Sequence, residues 1–275
     1  MLCQGMFQEA ENNRLLTLMS SPVLQKSFIV KGVDRCNEIS VVTPGKFWVS
    51  NGGGLQYYGD MKPVKLILTD TEGNTLDQIT DARSYLLGFH TISNNRDLIY
   101  IADNGKINKL SYDMKTKTTL ITKADWIPCC VFCSKSSGDV LVGMHINVPN
   151  QNFRIDSALR GTVTVKVSRY DKFGRFIHNI KYDLAGERLF VCPQFITENT
   201  NGDVVVSGGW RLVVTDNTGK YRFSYRGHPF GRVLLPYGVC TDALSNILLC
   251  DGRTHTVQMI DKDGEFLLFL SLIHI

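Results

Sequence analysis

An apolar run that ends in Asp, with Gly three residues further on, recurs along this chain. It stands at Asp70/Gly73, Asp171/Gly174, Asp216/Gly219 and Asp261/Gly264, and Asp113 starts a degenerate copy with Thr116 where Gly would sit. Successive Asp positions are 43, 58, 45 and 45 residues apart. The pattern is that of a tight hairpin: the aspartate opens the turn through a side-chain hydrogen bond, and the glycine supplies the positive φ that closes it. A second feature keeps step. A polar turn precedes an apolar run at Lys46 (KFWVSN), Asp97 (DLIYIAD), Asp139 (DVLVGM), Asp203 (DVVVSG) and Asn246 (NILLCD), at spacings of 51, 42, 64 and 43. Both series lengthen in the same interval, and one polar insertion at roughly 145–160 accounts for both.

The most complete unit is residues 236–270, PYGVCTDALSNILLCDGRTHTVQMIDKDGEFLLFL. It reads as four short strands with turn chemistry between them. A repeat of 40–45 residues with four short strands is a β-propeller blade. The second strands are apolar on consecutive residues, as expected where each blade is packed by blades on both sides. The expected architecture is therefore all-β, with blades at about 34–82, 83–124, 125–187, 188–229 and 230–270. Residues 23–30 (VLQKSFIV) read as a lone outer closing strand, and 1–22 as a linker or the end of an upstream helical region.

With 275 residues, 43% hydrophobic and 20% charged, the chain can bury a large core. No run of about 18 apolar residues is present, so no membrane helix is expected. The start lacks a basic and an apolar region of secretory type, and no N-x-S/T acceptor occurs. Cys192, Cys240 and Cys250 sit in apolar runs and read as reduced core thiols of a cytoplasmic protein. The net charge of +4 admits an anionic partner without demanding one.

The elements P-Y-G-V-C-T-D (236–242), N-I-L-L-C-D (246–251) and V-Q-M-I-D-K-D-G-E-F (257–266) resemble an NHL repeat. There is no Gly-His…Trp-Asp pair of WD40 type. With VVTPGKFWVSNGG, GDVLVGM, ITENTNGDVVVS and FSYRGH, the chain resembles the C-terminal propeller of TRIM-NHL tripartite-motif proteins, of the kind expanded in molluscs. That resemblance implies six blades where five are readable. It also implies a RING finger, B-boxes and an oligomerising coiled coil, none of which is in this sequence. The expected role is recognition of a protein, the substrate of a RING-type ubiquitin ligase whose catalytic part lies elsewhere. The alternative is an RNA-binding propeller in post-transcriptional control, and a propeller enzyme comes third.

A missing sixth blade would strip burial on the order of 10–25 kcal/mol gross from its two neighbours. The ending LSLIHI (270–275) is consistent with a sequencing-adapter sequence read in frame, so 271–275 is expected to be a non-native tail. On this reading the chain is a fragment, prone to aggregate.

No catalytic constellation, cofactor site or metal site emerges. Cys130-Val-Phe-Cys133, with Cys129, has no second pair at zinc spacing and reads as an inner strand. The stretch from Asp261 to Glu265 lacks the register of a calcium loop and reads as a hairpin turn. The six histidines (90, 145, 178, 228, 255, 274) share no short spacing with acidic partners. In a propeller, the fourth-to-first and second-to-third connections gather on one face. Here they carry Arg83, Tyr85, Trp126, Arg188, Trp210, Arg226, His228, Arg232, Tyr237 and Arg253, the candidate binding residues. Arginine beside aromatics suits protein hot spots and stacked RNA alike. Scattered arginines, or acidic neighbours such as Asp81, Asp103 and Asp125, would count against RNA.

Overall fold

A computed structural model describes residues 27–33, 36–51, 64–82, 90–102, 104–122, 125–146, 164–228 and 233–271. They form five four-stranded antiparallel sheets in a ring and no helix. The first blade is β1 (Cys36–Thr43), β2 (Lys46–Asn51), β3 (Val64–Asp70) and β4 (Thr75–Ala82). The second is β5 (His90–Ile92), β6 (Leu98–Ile101), β7 (Ile107–Leu110) and β8 (Lys117–Ile121). The third is β9 (Trp126–Cys133), β10 (Val140–Ile146), β11 (Val165–Tyr170) and β12 (Phe176–Ile180). The fourth is β13 (Phe195–Glu198), β14 (Val204–Gly208), β15 (Arg211–Thr215) and β16 (Tyr221–Tyr225). The fifth is β17 (Pro236–Thr241), β18 (Ile247–Asp251), β19 (Thr256–Ile260) and β20 (Phe266–Ser271).

Within each blade the strands lie side by side in chain order. The first strands touch in succession, β1 to β5, β5 to β9, β9 to β13 and β13 to β17, so they line the axis. Burial explains the consecutive apolar residues. Val140, Leu141 and Val142 are all fully buried. Val140 and Val142 face Ile99 and Ile101 of the second blade, while Leu141 faces Val204 and Val206 of the fourth. Val205 points the other way, to Leu249 of the fifth.

The Asp-x-x-Gly turns join β3 to β4, β11 to β12, β15 to β16 and β19 to β20. Asp171 Oδ1 accepts from the amides of Phe173 and Arg175, and Gly174 N–H donates back to Asp171 O. Asp261 repeats this with the amides of Asp263 and Glu265, so 261–265 is the expected hairpin turn. The last three of these turns press on the outer strand of the blade before them. A Cβ on Gly174 would overlap the Leu120 carbonyl oxygen on β8, one on Gly219 would meet Ile180 on β12, and one on Gly264 would meet Phe223 on β16.

The second blade corrects the expected fifth copy. Its turn opens at Ser111, not Asp113, and the residue with positive φ is Met114, not Thr116. Ser111 Oγ accepts the Thr116 amide at 2.9 Å, the part that aspartate plays elsewhere. The Met114 side chain turns inward to pack with Leu98 and Leu110.

Residues 23–26 of the expected outer strand lie outside the described residues, and 27–30 adopt no strand pairing. Their packing is nevertheless that of an outer strand. Phe28, Val30 and Val33 cover Ile39, Phe47, Val49 and Ile67 of the first blade. A Cβ on Gly73 would overlap the Ile29 carbonyl oxygen, as one on Gly174 would overlap that of Leu120. A ladder needs a neighbouring strand, and among the described residues none lies beside 27–30. At the other end, Leu248, Val257 and Met259 cluster with Cys240, Cys250, Leu268 and Leu270, all from the fifth blade itself. The described blades number five, one fewer than the resemblance implies.

Candidate binding face

The two faces of the ring differ in charge chemistry. The face built from first-to-second and third-to-fourth turns carries Asp70, Asp97, Asp139, Asp171, Asp203, Asp216, Asp242 and Asp261, engaged as turn acceptors or ion-pair partners. Hydrogen bonds from Asn74 hold the Asp70 carboxyl below its ordinary range, and those from Thr218 and Lys220 do so for Asp216. Between the third and fourth blades lies a buried polar clamp. Arg169 reaches Asp139 at 2.8 Å and Glu198 at 3.4 Å, and Ser134 donates to the other Glu198 oxygen. An open cleft of about 190 Å³ lies between the first two blades, lined by Trp48, Leu68, Leu98, Met114, Arg96 and Tyr112. That is smaller than the roughly 300–1,000 Å³ of ordinary small-molecule sites.

The opposite face carries the expected candidates. Arg83, Tyr85 and Arg232 lie outside the described residues, as do Asp103 and most of the 145–160 insertion. The structure brings Arg188, Trp210, Arg226, Tyr237 and Arg253 onto adjoining edges of the fourth and fifth blades. The β14–β15 hairpin tip is Gly208, Gly209 and Trp210, with Trp210 at φ 96 and 47% exposed. This tip is pressed down. A Cβ on Gly208 would overlap the Cys192 carbonyl oxygen, and one on Gly209 would meet Val191 at 2.9 Å. Arg211, next in line, donates to the carbonyls of Arg188 at 3.1 Å and Leu189 at 2.8 Å. The exposed Arg226 lies across from it, one step past the Leu212–Tyr225 pair. Burial first, and the Arg226 charge second, push the Arg211 guanidinium below its ordinary range.

The fifth blade continues the same surface. Ser207 Oγ donates to the Tyr237 carbonyl at 2.7 Å, and the Tyr237 ring lies over Gly252, where any side chain would collide with it. Arg253 is exposed beside it, its amide donating to Asp251. Asp251 is 2% exposed and its oxygens are occupied by Leu235 N, Arg253 N, Thr254 Oγ1 and Gln258 Nε2. Its charge, after burial, pushes the nearby Tyr225 hydroxyl up to about 12.

Two candidates stand apart. Trp126 is half-buried on the third blade, with Lys166 Nζ 3.9 Å from its ring centre. His228 packs edgewise on Phe266 and Phe269, at 4.4 and 5.6 Å between ring centres. Asp125 is exposed beside Trp126, away from the arginine group. Sequence reasoning missed Arg211, Tyr182 and Leu184. The last two flank Arg188 on a turn bridged from Tyr182 to Arg188, and Leu184 is 88% exposed.

The remaining candidate chemistry disperses. Cys130 and Cys133 point to opposite faces of β9, toward the fourth and second blades. Burial raises the thiol pKa of both, and that of Cys192 to about 12. His90 is buried near the axis, its Nδ1 3.1 Å from Glu38 Oε2, and the pair joins the first two blades. Among the described residues no three His, Cys, Asp or Glu side chains converge as a metal site.

No family model and no curated protein matches the chain. Solved structures share its fold. A protein of unknown function from Bacteroides caccae has a TM-score of 0.57 at 9% identity, covering 84% of this chain and 74% of its own. A chain of a nidogen/laminin complex has a TM-score of 0.55 at 11% identity, covering 85% and 79%. A gluconolactonase from Xanthomonas campestris has a TM-score of 0.53 at 13% identity, covering 84% and 74%. At such identities the likeness establishes the β-propeller fold alone.

Proposed function

We propose that this propeller is a cytoplasmic protein-recognition module, the substrate-binding part of a tripartite-motif RING-type ubiquitin ligase of NHL type. One observation carries the binding role. The fourth and fifth blades present an exposed Trp210 on a pinned hairpin, flanked by Arg188, Arg211, Arg226 and Arg253. Tryptophan, tyrosine and arginine dominate the energetics of protein interfaces, and a rigid platform lowers the entropy cost of binding. One fold neighbour, from the nidogen/laminin complex, comes from a protein–protein assembly, which is in keeping with such a role. The ligase assignment rests on the NHL-like repeats at 236–266.

A second reading, RNA binding, is favoured by the same arginines, because they are gathered on one face rather than scattered. The enzyme reading gains nothing from the axis, where His90 and Glu38 serve as an inter-blade contact. Proximity labelling in native cells separates the readings. Wild-type chain is expected to label a RING protein and proteins that become ubiquitylated, unchanged by ribonuclease, and Trp210→Gly is expected to lose that labelling. Labelling that vanishes with ribonuclease, or that Trp210→Gly leaves intact, overturns the proposal.

A further inference from the structure

Three arginines on this face, the half-buried Arg211 and the exposed Arg226 and Arg253, share a property. Among the described residues, Arg211, Arg226 and Arg253 form no ion pair; on the other face Arg169, Arg175 and Arg222 do, and Arg96 lies over the Tyr112 ring instead. Arg211 opens β15 and Arg226 follows the end of β16, so the two lie one step past the Leu212–Tyr225 pair. Like charges directly across a strand pair repel. No ion pair offsets them: Arg211 finds two carbonyl oxygens, and the buried Asp251 carboxylate of the fifth blade has its oxygens taken by neutral donors. An anion arriving between these guanidiniums would relieve the repulsion and gain paired, charge-assisted hydrogen bonds.

The surface around them is apolar. Tyr182, Leu184, Trp210 and Val233 are all exposed. Backbone contacts join them into one patch. Tyr182 bridges to Arg188, Arg211 donates to Arg188 O, and the Leu234 amide next to Val233 donates to Arg226 O. Alternating cations and exposed apolar side chains match a ligand that alternates carboxylates with apolar groups. A single-stranded nucleic acid calls instead for successive open aromatic rings. On these two blades Tyr237 is half-buried, Tyr221 opens β16 at the other face, and Phe269 is packed by His228 and Phe266, so the open rings here are Trp210 and, beyond Arg188, Tyr182.

We propose that the fourth- and fifth-blade edge binds an acidic linear peptide with interspersed apolar residues. The peptide's carboxylates pair with Arg211, Arg226 and Arg253, and its apolar side chains cover Trp210 and Leu184. This rests on the protein-recognition reading above and names the partner's chemistry.

Fluorescence anisotropy on the full chain tests it, with a labelled peptide of repeating Asp-Glu-Leu, its Asn-Gln-Leu counterpart and a labelled oligouridine. The Asp-Glu-Leu peptide is expected to bind, to weaken as salt rises, and to outcompete both others. Arg226→Glu with Arg253→Glu is expected to weaken it tenfold or more. Lys172→Glu with Lys220→Glu makes the same change in net charge on the opposite face and is expected to leave binding within about twofold. Circular dichroism melts confirm that both double variants fold. Equal loss in the two double variants overturns the site, since net charge alone would then explain the binding. Preferential oligouridine binding overturns the peptide in favour of RNA. A chain that ignores the Asp-Glu-Leu peptide yet keeps its Trp210-dependent cellular partners overturns the acidic preference and leaves the recognition role standing. Loss of both overturns both.

Discussion

Two glycines isolate what blade packing contributes. Gly174 and Gly186 share φ 82 and occupy the same turn position. Asp171 accepts the amides of Phe173 and Arg175, and Asp183 accepts those of Ala185 and Glu187. The two differ in surroundings alone. A Cβ at Gly186 meets nothing within 4 Å, whereas one at Gly174 overlaps the Leu120 backbone oxygen of the preceding blade. Alanine at either site costs about 1–2 kcal/mol for the left-handed backbone. At Gly174 the overlap adds about 1–3 kcal/mol, because a backbone oxygen cannot rotate away and the blades must shift. Gly186→Ala should therefore cost about 1–2 kcal/mol and Gly174→Ala about 2–5. Urea unfolding of the two variants at constant m-value reads the difference directly. Equal losses would refute the close approach of turn to outer strand. Gly73→Ala extends the test, because its obstruction is Ile29. A cost matching Gly174→Ala is expected if 27–33 truly stands in for an outer strand.

Other expectations follow from the same geometry. Glu198→Ala leaves Arg169, 7% exposed, paired with Asp139 alone in the buried clamp, and should cost about 1.5–3 kcal/mol in chemical denaturation. His178 is held below its usual pKa by burial and by Arg169, so the folded state prefers it neutral. Its contribution is present above the unfolded value of about 6.5 and is lost as pH falls below it. Stability should therefore decline on acidification through that range, and His178→Asn should flatten this part of the profile. Cys130 and Cys192 should resist an aromatic disulfide reagent in the folded chain and react at once in denaturant; prompt reaction in the native state would contradict their burial.

Much of the fold is legible because its signals are local. The Asp-x-x-Gly turns need only one side chain and one backbone conformation, and the two-sided burial of Val140 to Val142 and Val204 to Val206 writes itself as consecutive apolar residues. The second-blade turn escaped because Ser111 replaces the aspartate and Met114 adopts positive φ, which no sequence pattern marks. The binding face was half legible. Trp210 and Arg226 announce themselves beside turn residues, but Arg211 begins a strand, and only the β15–β16 register sets it against Arg226. The Arg169 clamp is equally silent in sequence, since its partners Asp139 and Glu198 lie 30 and 29 residues away.

The central claim is that the propeller binds protein through the Trp210 face. Site-specific photocrosslinking tests it most directly, with a benzophenone side chain at position 210 or, on the opposite face, at Phe173, which is 66% exposed. The account predicts ribonuclease-resistant protein adducts from position 210, competed by the Asp-Glu-Leu peptide, and few from position 173. Adducts chiefly from position 173, or nucleic acid captured at position 210, would contradict it.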